Sequence, residues 1–112
     1  MRYQVTITEQ AKADIREILA YIANDCLQPD AAARQLDRLE AEISGLQTMP
    51  DRFRRYQKEP WYSRGLRVMP VDRYLVFYLS DHEQKTVHVI RVMYCGRDLD
   101  AQLEMYITKN KE

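Results

Sequence analysis

The sequence predicts a single α+β domain. We expect an N-terminal strand and an antiparallel two-helix hairpin packed on a small, mostly antiparallel sheet, with a short helix at the C-terminal end. Three observations predict it: polar and apolar residues alternate over 3–8, apolar residues recur at helical spacing over 9–46, and runs rich in β-branched and aromatic residues fill 66–93. A chain of 112 residues can bury one core, so we expect one domain over residues 1–112.

The first strand is predicted from a short alternating segment. Tyr3, Val5 and Ile7 alternate with polar residues, which is the period of a strand that buries one face. Thr8 follows and can cap a helix whose first turn carries Glu9. A helix should therefore begin directly after the strand.

Two segments then carry apolar stripes that are typical of amphipathic helices. The first helix should end near Asn24, and the second should begin after Pro29 with Asp30 as its cap. A short turn between them predicts an antiparallel hairpin inside one domain rather than a coiled coil between chains. The stripes are Ala11, Ile15, Ile18, Leu19 and Ile22 in the first helix, and Ala32, Leu36, Leu39, Ile43 and Leu46 in the second.

Three strands are predicted in the second half of the chain. Residues 66–71 include Pro70, which cannot donate a ladder hydrogen bond, so this strand should lie at a sheet edge. Residues 74–79 and 87–93 flank a short polar interval and should form an antiparallel hairpin. After Arg97, the apolar positions of residues 99–107 predict a short helix.

Composition excludes several classes of protein. Nearly half of the residues are hydrophobic and almost a third are charged, which is ordinary for a globular protein. No run has membrane-spanning length and the N-terminus lacks an apolar signal core, so we expect a cytoplasmic protein with no membrane partner. Cys26 and Cys95 are far apart without CxxC spacing, which favours two reduced thiols over a zinc site. We expect neither a metal nor a cofactor.

Charge is distributed unevenly although the formal net charge is zero. Residues 9–51 carry nine acidic side chains against four basic ones, whereas residues 52–73 carry seven basic side chains against two acidic ones. Phe53, Tyr56 and Trp61 lie among these arginines, and basic residues mixed with aromatics suit nucleic acid. A polyanion or an acidic partner could bind there, but a plain connection between helix and sheet explains the same composition.

The chain offers little material for catalysis. It has no phosphate-cradling glycine loop, no GxSxG motif and no cluster of histidines. RNA cleavage remains open, because a 2′-hydroxyl can attack its own phosphate with help from cations and a proton donor. Arg91 interrupts an apolar strand and must reach a carboxylate or an exposed face; we favour a salt bridge to Asp98 or to a helix acid. The candidate catalytic residues are Arg67, Arg73, Arg91, Tyr94 and Arg97.

The order of the elements resembles the RelE/ParE superfamily of bacterial toxins from type II toxin-antitoxin modules, over most of the chain. Each local match is short, and the specificity comes from their order and spacing. The matching segments are Tyr3-Gln-Val-Thr-Ile-Thr with Ala11 and Ala13-Asp14-Ile15, Ile18 with Tyr21-Ile22, Leu39 to Leu46 before Pro50, Gly65-Leu66-Arg67-Val68-Met69-Pro70-Val71, Arg73-Tyr74-Leu75-Val76-Phe77-Tyr78, and Val89-Ile90-Arg91-Val92 leading into Gly96-Arg97-Asp98.

The two branches of this superfamily imply different functions. RelE-like members are ribosome-dependent messenger RNA endonucleases with basic residues along the sheet, whereas ParE-like members poison DNA gyrase and lack that set. Here Leu75 stands where the RelE-like pattern carries an arginine, and Val68 and Pro70 stand where lysines are expected. The resemblance therefore favours a ParE-like gyrase poison that is not an enzyme. A RelE-like metal-independent endoribonuclease, acting on the ribosome and its mRNA, and a non-toxic antitoxin-binding domain are the alternatives.

The resemblance also implies partners and the residues that contact them. A cognate antitoxin should neutralise the toxin and cross the basic segment. The assembly expected is a homodimer or a toxin-antitoxin hetero-oligomer. We expect DNA gyrase to be bound by the four arginines of the sheet region, Arg67, Arg73, Arg91 and Arg97. We expect the antitoxin to be bound by Arg52, Arg54, Arg55, Lys58, Trp61 and Arg64.

Overall fold

A mixed four-stranded sheet carries two long helices on one face. The computed structural model describes residues 2–95, so the predicted C-terminal helix and Arg97 lie outside the described residues. The α+β class and the order of elements are confirmed. In chain order the elements are β1 (Gln4–Ile7), α1 (Glu9–Ala20), α2 (Pro29–Ser44), α3 (Trp61–Arg64), β2 (Arg67–Val71), β3 (Tyr74–Asp81) and β4 (Thr86–Tyr94).

The strands lie in the order β1-β4-β3-β2. The predicted hairpin is present as the antiparallel pair β3 and β4. β2 pairs antiparallel with β3 and lies at the edge of the sheet, a position that suits Pro70 because proline has no N–H to donate to a further strand. β1 pairs in parallel with β4, in the register Gln4 to Thr86 through Ile7 to Val89. The N-terminal strand therefore completes the sheet from the side opposite to β2.

The helical hairpin begins and turns through local chemistry. Thr8 caps α1 as predicted, because its Oγ1 accepts a hydrogen bond from the Ala11 amide at 3.2 Å. One π-helical turn, Tyr21–Asp25, follows α1. The prediction of Asp30 as the cap of the second helix was wrong, because Pro29 occupies the first turn and Gln28 the cap position. Within residues 2–95, neither long helix has the length and apolar character needed to cross a bilayer.

Two apolar clusters pack against opposite faces of the sheet. The helix-facing core joins the buried residues Ala11, Leu39, Ile43 and Leu46 to one face of the sheet. The second core lies on the other face and is closed by the connecting segment, residues 51–66. Its buried members are Trp61, Leu66, Phe77, Ile90 and Met93, and its half-buried neighbours are Tyr56, Val68, Leu75 and Leu79.

A bulge in β4 determines which of the strand's side chains face each core. Phe77 pairs with Arg91 whereas Tyr78 pairs with Val89, so Ile90 is an extra residue on β4. Before the bulge, Val89 packs in the helix-facing core. Beyond the bulge, Val92 packs in the helix-facing core and Met93 packs in the second core. The bulge therefore shifts the alternation by one residue immediately beside Arg91.

Candidate functional site

A buried ion pair joins the last strand to the first helix. Arg91 and Asp14 are only 6% and 7% exposed. Arg91 Nε donates to Asp14 Oδ2 at 2.7 Å and Arg91 Nη2 donates to Asp14 Oδ1 at 2.9 Å, in the bidentate geometry that gives the strongest arginine-carboxylate pairs. The Val92 amide adds a third bond to Asp14 Oδ2 at 3.0 Å. The favoured salt bridge is confirmed, and its partner is a helix acid.

Asp14 was not singled out from the sequence as this partner, although its position carries a signal. It lies three residues after Ala11 and four before Ile18, which places a carboxylate on the apolar stripe of α1. An acid on a buried stripe needs a cation or several donors. Arg91 interrupts an apolar strand and has the same need, so the position of Asp14 favours it as the helix acid that pairs with Arg91.

A pocket of about 730 Å³ opens beside this ion pair, at the end of the sheet. Side chains from α1, the π-helical turn, α2, the β2-β3 turn and the ends of β3 and β4 surround it. The lining residues are Asp14, Glu17, Ile18, Tyr21, Ile22, Cys26, Gln35, Asp72, Arg73, Tyr74, Arg91, Val92, Met93 and Tyr94. The pocket therefore brings Arg73, Arg91 and Tyr94 of the predicted site together.

Three tyrosines, Tyr21, Tyr74 and Tyr94, form part of the polar rim of this pocket. Burial raises the pKa of Tyr74, and the nearby Tyr94 raises it further. The Cys26 thiol, through charge and a hydrogen bond, raises the pKa of Tyr21. Tyr74 and Tyr94 meet edge to face with ring centroids 5.9 Å apart, and Tyr94 is 45% exposed. Tyr21 and Tyr74 are neutral at pH 7, as tyrosines ordinarily are, and their hydroxyls can donate or accept hydrogen bonds.

The β2-β3 turn places Arg73 at the mouth of the pocket. Asp72 adopts a left-handed conformation, with φ of 56°, and its carboxylate accepts bonds from Arg38 Nε at 2.6 Å and Gln35 Nε2 at 3.1 Å on α2. The Arg38 guanidinium lowers the pKa of Asp72. The turn is thereby tied to the helix, while the adjacent Arg73 is exposed and makes no ion pair with any of residues 2–95.

Arg67 lies apart from this pocket. It begins β2, about 13 Å along the strand from Val71 and the turn. Its Nη1 donates to the Phe53 carbonyl at 2.6 Å and its Nε lies 3.2 Å from Asp51 Oδ1. The predicted target-binding arginines are thus divided: Arg73 is exposed at the pocket, Arg91 is buried beside it and Arg67 secures the connecting segment.

The predicted antitoxin-binding residues all lie on the connecting segment. Arg52, Arg54, Arg55, Lys58 and Arg64 are exposed, whereas Trp61 is buried in the second core with 4% of its surface exposed. Three of the arginines lie against rings: Arg52 over Phe53, Arg55 over Tyr62 and Arg64 over Trp61, at 5.0, 5.3 and 5.8 Å from the ring centroids.

Hydrolytic chemistry has limited support among the described residues. His82 lies between Asp51 Oδ2, at 3.0 Å from its Nε2, and the Tyr3 hydroxyl, while His88 Nδ1 meets Thr6 Oγ1 at 2.9 Å. Both histidines therefore serve contacts between strands and loops. Over residues 2–95, no three histidines, cysteines or acids come together in a group that could hold a metal ion.

Comparison with known proteins relates this chain to toxins of type II toxin-antitoxin systems. Residues 5–99 match the family model described as ParE toxin of type II toxin-antitoxin system, parDE. No match to the chain was found among curated proteins.

Solved structures with the same fold include members of both branches. The chromosomal ParDE toxin-antitoxin system of P. aeruginosa aligns with a TM-score of 0.65 at 16% identity, over 83% of this chain and 96% of that chain. The RelBE2 toxin-antitoxin complex of Mycobacterium tuberculosis aligns at 0.59 and 22% identity, over 84% and 92%. A mutant E. coli RelE toxin in the free state aligns at 0.63 and 15% identity, over the full length of both chains.

Proposed function

The chain belongs to the ParE toxin family of type II toxin-antitoxin systems, and we propose that it arrests growth by poisoning DNA gyrase. The match of residues 5–99 to the ParE family carries this proposal. The toxin would act by binding, with Arg73 and the tyrosine rim of the pocket as the exposed contact surface.

The positions of the candidate catalytic residues support binding over RNA cleavage. Arg67 and Arg91 make the structural contacts described above, which leaves Arg73 and Tyr94 as the exposed members among the described residues. Leu75 and Val68, where the RelE-like pattern has cations, pack against the second core. A phosphorane-like transition state needs several cations converging on one phosphate, and that sheet face supplies apolar side chains instead.

Two assays of the purified protein separate the candidate activities. We expect it to inhibit gyrase-catalysed supercoiling and to accumulate cleaved DNA, and to leave mRNA intact in a ribosome-dependent cleavage assay. Cleavage of mRNA without any effect on gyrase would replace the proposal with the RelE-like endonuclease. Expression of the chain alone tests the remaining alternative, a non-toxic antitoxin-binding domain, which would leave growth unchanged.

A matched pair of variants tests the contact surface. Arg73→Ala should weaken gyrase inhibition about tenfold, because an exposed arginine at a binding centre commonly contributes this much. Arg2→Ala removes another exposed positive charge, just before β1 at the end of the sheet away from the β2-β3 turn, and should have no effect. Equal inhibition by both variants would place the gyrase contact elsewhere.

We also propose that a cognate antitoxin covers the connecting segment. The P. aeruginosa and M. tuberculosis relatives are toxin-antitoxin systems, and the five exposed basic residues of this segment offer charge complementarity to an acidic partner chain. Substituting Arg54, Arg55 and Arg64 with glutamate should weaken the complex most at low salt. Affinity that stays unchanged across a salt series would contradict this placement. Glutamate at Lys12, Arg16 and Arg34 provides the charge-matched control.

A further inference from the structure

Four arginines of the connecting segment are exposed, and we call this set the arginine platform: Arg52, Arg54, Arg55 and Arg64. The stacking of three of them on rings restricts their rotamers, and Arg55 Nη1 also donates to the Tyr62 carbonyl at 3.4 Å. A guanidinium that lies on an aromatic face keeps outward N–H groups for a partner.

The backbone beneath the platform is fixed to the sheet. The Tyr56 amide donates to the Leu66 carbonyl at 2.8 Å and the Val68 amide donates to the Arg54 carbonyl at 3.1 Å. The Tyr56 ring packs edge to face on Phe77, with centroids 5.6 Å apart. The platform is therefore an irregular segment held at several points, so that little conformational entropy remains to be lost when it binds a partner.

The acids within the connecting segment are occupied by other partners. Asp51 contacts Arg67 and His82, and Glu59 accepts bonds from the Ser63 amide at 3.1 Å and the Ser63 hydroxyl at 2.8 Å. Among residues 2–95, no carboxylate forms an ion pair with any of the four platform arginines. The platform thus presents four charges that are not neutralised by the described part of the chain.

We propose that the arginine platform binds the phosphodiester backbone of a nucleic acid. Planar guanidinium forks match phosphate oxygens, and Arg55, which lies over the ring of the 40% exposed Tyr62, keeps N–H groups available for a phosphate. This inference goes beyond the proposed function, since it requires neither gyrase nor an antitoxin. An acidic antitoxin segment on the same surface would compete with nucleic acid for the same arginines.

Fluorescence anisotropy of the purified chain with a labelled 20-base-pair DNA duplex tests the proposal, with a single-stranded RNA of equal length as the second probe. Four phosphate contacts predict that the logarithm of the DNA-binding constant falls with the logarithm of salt concentration with a slope of about −3.6. The duplex and RNA arms identify which nucleic acid supplies the phosphates, and tighter RNA binding would assign the platform to single strands.

Two double variants with the same change in net charge decide whether the platform is the contact. Arg54→Ala with Arg64→Ala should halve the slope to about −1.8 and weaken duplex binding about tenfold or more at 50 mM salt. Arg16→Ala with Arg34→Ala, on the exposed faces of α1 and α2, should leave both values unchanged. Arg54→Lys with Arg64→Lys, which keeps both charges, should keep the slope at about −3.6.

Three outcomes would overturn the inference: no binding to either nucleic acid at 50 mM salt, equal losses in the two double variants, or binding to poly-L-glutamate alone. The last would assign the platform to acidic protein segments. Gyrase inhibition by a chain that binds no nucleic acid would overturn this inference and leave the proposed function standing. Nucleic-acid binding without gyrase inhibition would support this inference and overturn the proposed function.

Discussion

The two faces of the sheet are covered by different kinds of chain. Long helices cover one face, and they bury a charged pair, Asp14 and Arg91, beneath them. The connecting segment covers the other face with aromatic and aliphatic side chains and keeps its arginines outside. A helix can hold a carboxylate at one fixed point facing the sheet, whereas an irregular segment is fixed by the rings it inserts. The charged pair of the first face is therefore buried, whereas the basic side chains of the second face stay exposed.

The largest effect should come from breaking the buried pair. Arg91→Ala leaves the Asp14 carboxylate buried without its cation, which should lower the free energy of unfolding by about 3 to 5 kcal/mol. Urea unfolding followed by circular dichroism measures this loss. Arg16→Ala, on the exposed side of α1, the helix that carries Asp14, is the control and should leave the midpoint of urea unfolding unchanged.

A second variant separates the missing cation from a mere packing defect. Replacing both partners, with Asp14→Leu and Arg91→Met, removes the unpaired charge and should recover most of the stability. Recovery should be incomplete, because the Val92 amide loses its acceptor. If the double variant were no more stable than Arg91→Ala, packing rather than charge would hold this face together.

The second face should depend on its buried tryptophan. Trp61→Ala should lower the free energy of unfolding by about 3 kcal/mol, the lower end for such truncations, since an irregular segment can collapse partly into the cavity. Trp61 is the only tryptophan of the chain, so circular dichroism must report unfolding of this variant. Tyr62→Ala, at the exposed neighbouring position, is the control. Equal stability of the two variants would show that the connecting segment contributes little to the core.

The difference between the faces also explains how much of the fold could be read from the sequence. The strand alternation and the two helical stripes are local patterns that burial of one face imposes. The edge position of β2 follows from Pro70, which has no N–H to donate, and all three features were predicted. The connecting segment has no period, so its stacked arginines and the burial of Trp61 could not be placed. The bulge at Ile90 is set by pairing with β3, which a single strand does not reveal.

The pocket shows the same limit. Arg73, Arg91 and Tyr94 were candidates from the sequence because arginine and tyrosine can assist RNA cleavage without histidine or metal, and Arg91 also interrupts an apolar strand. Tyr21 was missed as a pocket residue, because it lies on the π-helical turn that was expected to be an ordinary helix end. Arg67 was grouped with Arg73 as an arginine of the same sheet region, but a strand separates its two ends by its own length.

Tyr78, in the helix-facing core, is hydrogen-bonded to the start of the connecting segment and makes the stability of the fold depend on pH. The buried Tyr78 hydroxyl donates to the Pro50 carbonyl at 2.5 Å, where the connecting segment begins, and burial raises the pKa of Tyr78 to about 12. Because the folded pKa lies above the unfolded value of about 10, the unfolded chain loses this proton first as pH rises. The stabilising contribution is complete below pH 10 and is lost progressively towards pH 12.

Tyr78→Phe tests this link. At pH 8 it should lower the free energy of unfolding by about 1 to 2 kcal/mol, through the lost hydrogen bond and the unpaired Pro50 carbonyl. The difference between the variant and the parent should shrink between pH 10 and 12, whereas Tyr62→Phe, at an exposed site, should show no such change. A difference that stays constant over this range would mean that the Tyr78 pKa is not raised.

The smallest effect should come from the exposed tie between the sheet and α2. Asp72→Asn keeps a residue that tolerates the left-handed turn but removes the charge that Arg38 binds, so the loss should be a small fraction of that in Arg91→Ala. Because Arg38 lowers the pKa of Asp72, the contribution is present above the unfolded pKa of about 3.9 and is lost as pH falls. High salt should also remove it. Urea unfolding of both proteins at low and high salt measures the difference; a loss as large as that in Arg91→Ala would show that this turn, rather than the buried pair, secures the helices to the sheet.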